Sequence, residues 1–145
     1  MVEVTRLSTL VELDGEHADP GEMAVSARLE AVLSDGRRVP LLDDRGWADS
    51  MHGGGVDIRD FVSIGDIETT ARAVVGPDEP GEGDTHEGMA ADHWGHLADV
   101  LRRRGVAADA ESLEGLPHEV VLGERLREWL GGPRPLPSRP ESDRR

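Results

Sequence analysis

Between Val25 and Ala31 the chain alternates strictly, with Val25, Ala27, Leu29 and Ala31 apolar and Ser26, Arg28 and Glu30 interleaved among them, and Leu33 continues the apolar phase. A period of two matches a pleated strand with one buried face and does not match a helix, whose apolar residues recur every three or four positions. Ser34-Asp35-Gly36 follows at once and reads as a three-residue hairpin loop with the glycine left-handed. This hairpin sets Leu33 against Arg37, Ala31 against Val39 and Leu29 against Leu41, and leaves Arg28 opposite Leu42. Val2 to Leu13 supplies a third strand. Its apolar phase shifts from Val2 and Val4 to Leu7, Val11 and Leu13, which calls for a bulge near Arg6.

Turn formers then crowd residues 43–62, in Asp43-Asp44-Arg45-Gly46-Trp47 and again in Met51-His52-Gly53-Gly54-Gly55. They read as a glycine-rich connector. Residues 63–130 are mainly helical. Ser63 with Asp66 is a capping-box pattern, Ile67, Ala71, Val74 and Val75 keep helical spacing, and Gly76-Pro77 ends the element with Gly76 as left-handed cap. Asp84 with Glu87 opens the longest helix, which carries Met89, Ala90, His93, Trp94, Leu97, Val100 and Leu101 on one stripe and stops at Gly105. Asp109 to Glu114 makes one or two further turns. His118 to Leu122 reads either as helix, entered at Pro117, or as a short buried extended segment, before a last helix from Glu124.

The fold expected is therefore α+β in two layers: a small antiparallel sheet from residues 1–42, covered on one face by the C-terminal helices. Residues 1–130 form one domain. The tail, residues 131–145, holds Pro133, Pro135, Pro137 and Pro140 among arginines with only Leu136 to bury, and is expected to be disordered.

Composition removes whole classes of chemistry. All sixteen cationic side chains are arginine, and Lys, Cys, Tyr, Asn and Gln are absent. Without Lys or Cys there is no Schiff-base amine, thiol nucleophile, thiolate-bound zinc, iron–sulfur cluster or phosphate-binding lysine. The same bias, with three Ile, points to a GC-rich bacterial source. The longest apolar runs are three residues, as in Val120-Val121-Leu122, so no membrane span or signal peptide is expected and the cytoplasm is the default compartment.

Formal net charge is −14, and the acids are unevenly placed. Between Arg72 and Arg102 stand Asp78, Glu79, Glu82, Asp84, Glu87, Asp92 and Asp99 with no cation among them. Such a field repels phosphate backbones and anionic membranes and attracts a basic protein surface. The leading expectation is a non-catalytic, immunity-like or accessory module, free of cofactors, that docks a basic protein through Asp78, Glu79, Glu82 and Asp84.

The alternative is a small metal-dependent or hydrolase-like enzyme. His93 and His96 lie one helical turn apart, with Asp92 and Asp99 on the flanking turns, a pattern that can share a divalent cation. A neutral, buried His93 and a surface Asp92–His96 pair account for the same residues. His52-Gly53-Gly54-Gly55 resembles, over four residues, the oxyanion-hole loop of lipases and esterases, which implies backbone N–H groups aimed at an oxyanion. The chain departs from that family where the nucleophile belongs, because Phe61-Val62-Ser63-Ile64-Gly65 has Phe in place of the first Gly. Arg102-Arg103-Arg104 suits either a phosphate or the negative end of its own helix.

Overall fold

Alternation along the second strand buries one whole face: Met23, Val25, Ala27, Leu29, Ala31 and Leu33 are all buried. A face of that length needs a sheet beside it and a layer above it. The computed structural model, which describes residues 2–15, 21–51 and 56–132, supplies both. The strands are β1 (Val4–Leu13), β2 (Glu22–Leu33), β3 (Arg38–Ser50) and β4 (His118–Leu122). A 3-10 turn (Ile58–Asp60) leads to helices α1 (Ile64–Val74), α2 (His86–Arg103), α3 (Ala110–Glu114) and α4 (Glu124–Gly131). The architecture is α+β in two layers, as the sequence predicts.

The sheet runs in the order β3-β2-β1-β4. β1, β2 and β3 pair antiparallel, whereas β4 pairs parallel to β1, with Leu10 beside Val121, so the sheet is mixed and not purely antiparallel. This resolves the two readings of His118 to Leu122 in favour of strand. Pro117 therefore opens no helix; its carbonyl accepts the N–H of Leu7 at 2.8 Å.

The hairpin forms around Gly36, whose φ is +91°. Ala31 faces Val39, but Leu29 faces Leu42, because register shifts on either side of Leu29 insert an extra residue into the ladder. The β1 bulge falls between Val4 and Arg6. β3 continues to Ser50, so residues 43–50 are strand and not connector. Gly46 owes its place there to packing, since a Cβ would run into the carbonyl oxygen of Val25 on β2.

All helices pack on one face. Leu97, Ala98 and Leu101 of α2, with Val106 and Leu113, cover Leu7, Leu29, Ala31, Leu33, Val39 and Leu41. Ile67 and Ala71 of α1 and Leu126 of α4 cover Val11, Leu13, Met23 and Val25. Trp47 packs against both groups and joins them. On the opposite face Leu10 and Val121 stay exposed, and Arg6–Glu119, Arg28–Glu30 and Arg38–Glu30 pair across or along the strands.

Helix ends follow local chemistry. Ser63 and Asp66 form the full capping box of α1. α2 ends in a Schellman turn: Val106 N–H reaches the Leu101 carbonyl and Gly105 N–H that of Arg102, with Gly105 at φ +82°. Two expected caps differ. Gly76 is not left-handed; among the described residues the positive-φ glycines are Gly15, Gly36, Gly83 and Gly105. α2 is capped by Thr85, whose hydroxyl accepts the Gly88 N–H at 2.9 Å, while the Asp84 carboxylate accepts the Gly81 N–H within the preceding turn. α4 has no side-chain cap of its own at Gly123. Glu12 of β1 supplies it, accepting N–H groups of Leu126 at 2.7 Å and Arg125 at 3.2 Å.

Candidate functional site

The acidic loop expected to bind a partner joins α1 to α2, and Asp78, Glu79, Glu82 and Asp84 are all exposed on it. A cation does reach this loop, from β3. Arg45 donates to the Val74 carbonyl at 2.9 Å, and its guanidinium stands 3.6 Å from the Asp78 carboxylate and 3.8 Å from that of Asp44. Asp78 is therefore partly neutralised, and Asp84 is held by its own turn, which leaves Glu79 and Glu82 as the outward acids of the loop.

His93 sits half-buried behind the loop, its ring edge-on to Trp94 at 4.8 Å. Burial pushes its pKa below the ordinary histidine value, the Arg45 charge acts in the same sense, and Asp78 opposes both. Its Nε2 is buried with no hydrogen-bond partner. Asp92 and His96 are exposed, and Asp99 pairs with Arg102 at 2.5 Å. Among the described residues no three His, Cys, Asp or Glu side chains come together as a metal-binding group, so the His93/His96/Asp92/Asp99 constellation does not assemble. His52 and its glycines lie outside the described residues, as does the chain beyond Gly132.

The arginine triplet serves its own helix: Arg103 donates to the Asp99 carbonyl and Arg102 to that of Ala108. Trp47, Trp94 and Trp129 are each partly buried against the core, and none is sealed within it.

A second site, not anticipated from the sequence, lies where the 3-10 turn and α1 meet α4. Asp57 caps the 3-10 turn by accepting the Arg59 N–H at 2.9 Å. The Arg59 guanidinium then folds back on the same carboxylate, with Nη2 at 2.6 Å and Nε at 2.9 Å. Arg59 is 8% exposed and Asp57 6%. The hydrogen bonds that Arg59 donates to the Asp57 carboxylate hold the Arg59 pKa above its already high ordinary value. Nη1 donates to the Trp129 carbonyl at 2.7 Å, and the guanidinium lies 5.3 Å from the centre of the Trp129 ring, a cation–π distance.

Arg59 forms one wall of a cleft of about 340 Å³ whose other walls are Val62, Ile64, Leu122, Arg127, Leu130 and Gly131. Phe61, next to Val62 in the chain, stands 62% exposed, and Ile64 is 56% exposed. The one trace of this site in the sequence is the spacing Asp57-Ile58-Arg59, which allows a carboxylate to cap a turn and grip the arginine two residues on.

Comparison with family models, with curated proteins and with solved structures gives no match for this chain. No helix among the described residues is long and apolar enough to cross a membrane.

Proposed function

We propose that the chain is a non-catalytic, immunity-like or accessory module of the cytoplasm that docks a basic protein partner through the loop bearing Asp78, Glu79, Glu82 and Asp84. The observation that carries this reading is the exposure of all four carboxylates on a chain of net charge −14, with Arg45 the cation that reaches the loop. Long-range attraction steers a basic surface towards the loop and raises the encounter rate. Half-buried Trp94, on the helix that follows, offers apolar area for the docked state. The same field disfavours nucleic acid, and the reading requires no cofactor.

The test uses a displayed library of basic protein fragments selected against the full chain, and then against the variant Asp78→Asn/Glu79→Gln/Glu82→Gln/Asp84→Asn. Selected fragments are expected to associate at least tenfold more slowly with the variant. Their association with the wild type should also slow as salt rises, because charges separated by more than about 10 Å are screened near 0.1 M. Failure to select any fragment, or fragments that bind both forms alike, overturns the proposal.

A further inference from the structure

We propose that Leu136, in the proline-rich segment that follows the described residues, fills the cleft between the 3-10 turn and α4, which makes the cleft a seat for the chain's own residues 133–145. The proposal does not rest on the proposed function. It concerns the opposite end of α1, since Ile64 opens that helix at the cleft and Val74 closes it before the acidic loop.

Connectivity selects the occupant. Gly131 is one wall of the cleft, and Gly132 is the last described residue. Gly132 leaves α4 extended, at φ −79° and ψ 175°, while its N–H still donates to the Trp129 carbonyl at 3.3 Å. Its backbone lies so close to the last turn that a Cβ there would stand 2.8 Å from the Glu128 carbonyl oxygen, so the exit is held against the helix end. An extended residue also suits the position before a proline, here Pro133. The five residues from Gly132 to Leu136 span at most about 18 Å. A tether that short holds Leu136 at an effective concentration on the order of millimolar, and this favours it over an apolar group from another molecule.

Shape and stiffness agree with that occupant. Val62, Ile64, Leu122 and Leu130 make the cleft apolar, and about 340 Å³ lies at the small end of ligand sites, room for one aliphatic side chain and the prolines beside it. Leu136 is the one large aliphatic side chain in residues 133–145, and Pro133, Pro135 and Pro137 fix φ at alternate positions around it. The segment therefore gives up less backbone freedom on docking than an ordinary linker. Such a composition cannot fold alone, yet a preformed apolar wall supplies the burial it lacks. That wall is pinned, because α4 is fixed at its start by Glu12 and near its end by the bond from Arg59 to the Trp129 carbonyl.

Charge works in the same direction. Residues 133–145 carry Arg134, Arg139, Arg144 and Arg145 against Glu141 and Asp143. The elements beside the cleft have the opposite balance: Asp60, Asp66, Glu124 and Glu128 are exposed against Arg125 and Arg127, and Arg59 is neutralised by Asp57. Attraction keeps the segment near its root, and Leu136 sets its register.

The test exploits the absence of cysteine, which lets a nitroxide on Ser138→Cys label a single site in the full chain. Any tethered segment brushes residues near its root, so the deciding amides are those of residues 62–64, on the far wall. They are expected to broaden in the labelled chain, to lose most of that broadening when Leu136→Ser or Ile64→Ser is added, and to keep it with Leu136→Ile. Amides 62–64 as sharp with the oxidised label as with the reduced one, or broadening indifferent to Leu136→Ser, overturns the proposal. Broadening seen only when the labelled chain is mixed with an unlabelled, isotope-enriched chain places the segment in a second copy and also overturns it.

Discussion

Glu12, on the first strand, caps a helix that begins more than a hundred residues later: its Oε1 accepts the backbone N–H of Leu126 at 2.7 Å. A Cβ on the N-cap residue, Gly123, would strike that same carboxylate, so a side chain there and the Glu12 cap compete for one space. Glu12 and Gly123 act as one device. Glu12→Ala is expected to cost about 0.5–2 kcal/mol, the range for loss of a helix cap. Gly123→Ala is expected to destabilise because the carboxylate must move away. Removing the carboxylate removes the clash, so the double variant should cost less than the sum, with a coupling of about 0.5–3 kcal/mol. Urea unfolding of the four forms checks this; additive effects would show that the cap does not form.

Asp57 and Arg59 form a buried ion pair whose parts cannot be removed singly without cost. Asp57→Asn or Arg59→Met leaves one charge without its counterpart, at about 3–5 kcal/mol. Replacing both together should be much milder than either cost doubled. Equilibrium denaturation measures the cycle, and single variants as stable as the wild type would refute the pairing.

Acidification below neutrality should weaken the fold through its half-buried histidines. His93 and His118 both have pKa values lowered, first by burial and then by the charges of Arg45 and Arg72 respectively. Below the ordinary value of 6.5 the unfolded chain takes up protons that these folded histidines still refuse. Stability is therefore greatest above about pH 6.5, falls as pH drops through that value towards the folded pKa values, and levels off below them. Asp35 and Asp109, both exposed, and partly buried Glu119, whose pKa values are lowered by hydrogen bonds, act only below the ordinary carboxylate range and so outside this window. Urea midpoints between about pH 8 and 5.5 should show the decline, and His93→Leu should flatten it. An unchanged slope in that variant would mean that His93 does not contribute.

Capping of the longest helix offers a direct contrast. Thr85→Ala should cost about 1 kcal/mol, whereas Asp84→Ala should stay within about 0.5 kcal/mol, since its carboxylate serves only the turn before the helix. The reverse order in thermal unfolding would move the cap back to Asp84.

What was legible in the sequence was local. The β2–β3 hairpin, the Arg6 bulge, the Ser63–Asp66 box and the stop at Gly105 each depend on residues a few positions apart, and each is present. β3 was hidden beyond Leu42, because its Asp, Arg and Gly mimic a connector; Gly46 is set by the approach of Val25, which no local pattern reveals. β4 was ambiguous for a related reason. Three successive apolar residues fit strand or helix until a neighbour is specified, and that neighbour is β1. The metal-like His93 and His96 share spacing without sharing partners. The cleft around Arg59 assembles from residues 59–64 and 122–131, and is invisible to any single window of sequence.

The parallel pairing of β4 also fixes an order of events during synthesis. β1, β2 and β3 can zip together as soon as they leave the ribosome, yet the outer edge of β1 has no mate until residues 118–122 have been made. For that interval, with translation adding about 5–20 residues per second, a nascent chain carries an open strand edge whose cap receptor, α4, does not yet exist. Exposed Leu10 lies on that edge, between Arg28 and the future position of Val121. The vulnerable form of this protein is thus the nascent chain that has not yet reached β4, and slow codons placed before residue 118 should lower its soluble yield more than the same codons placed before β2.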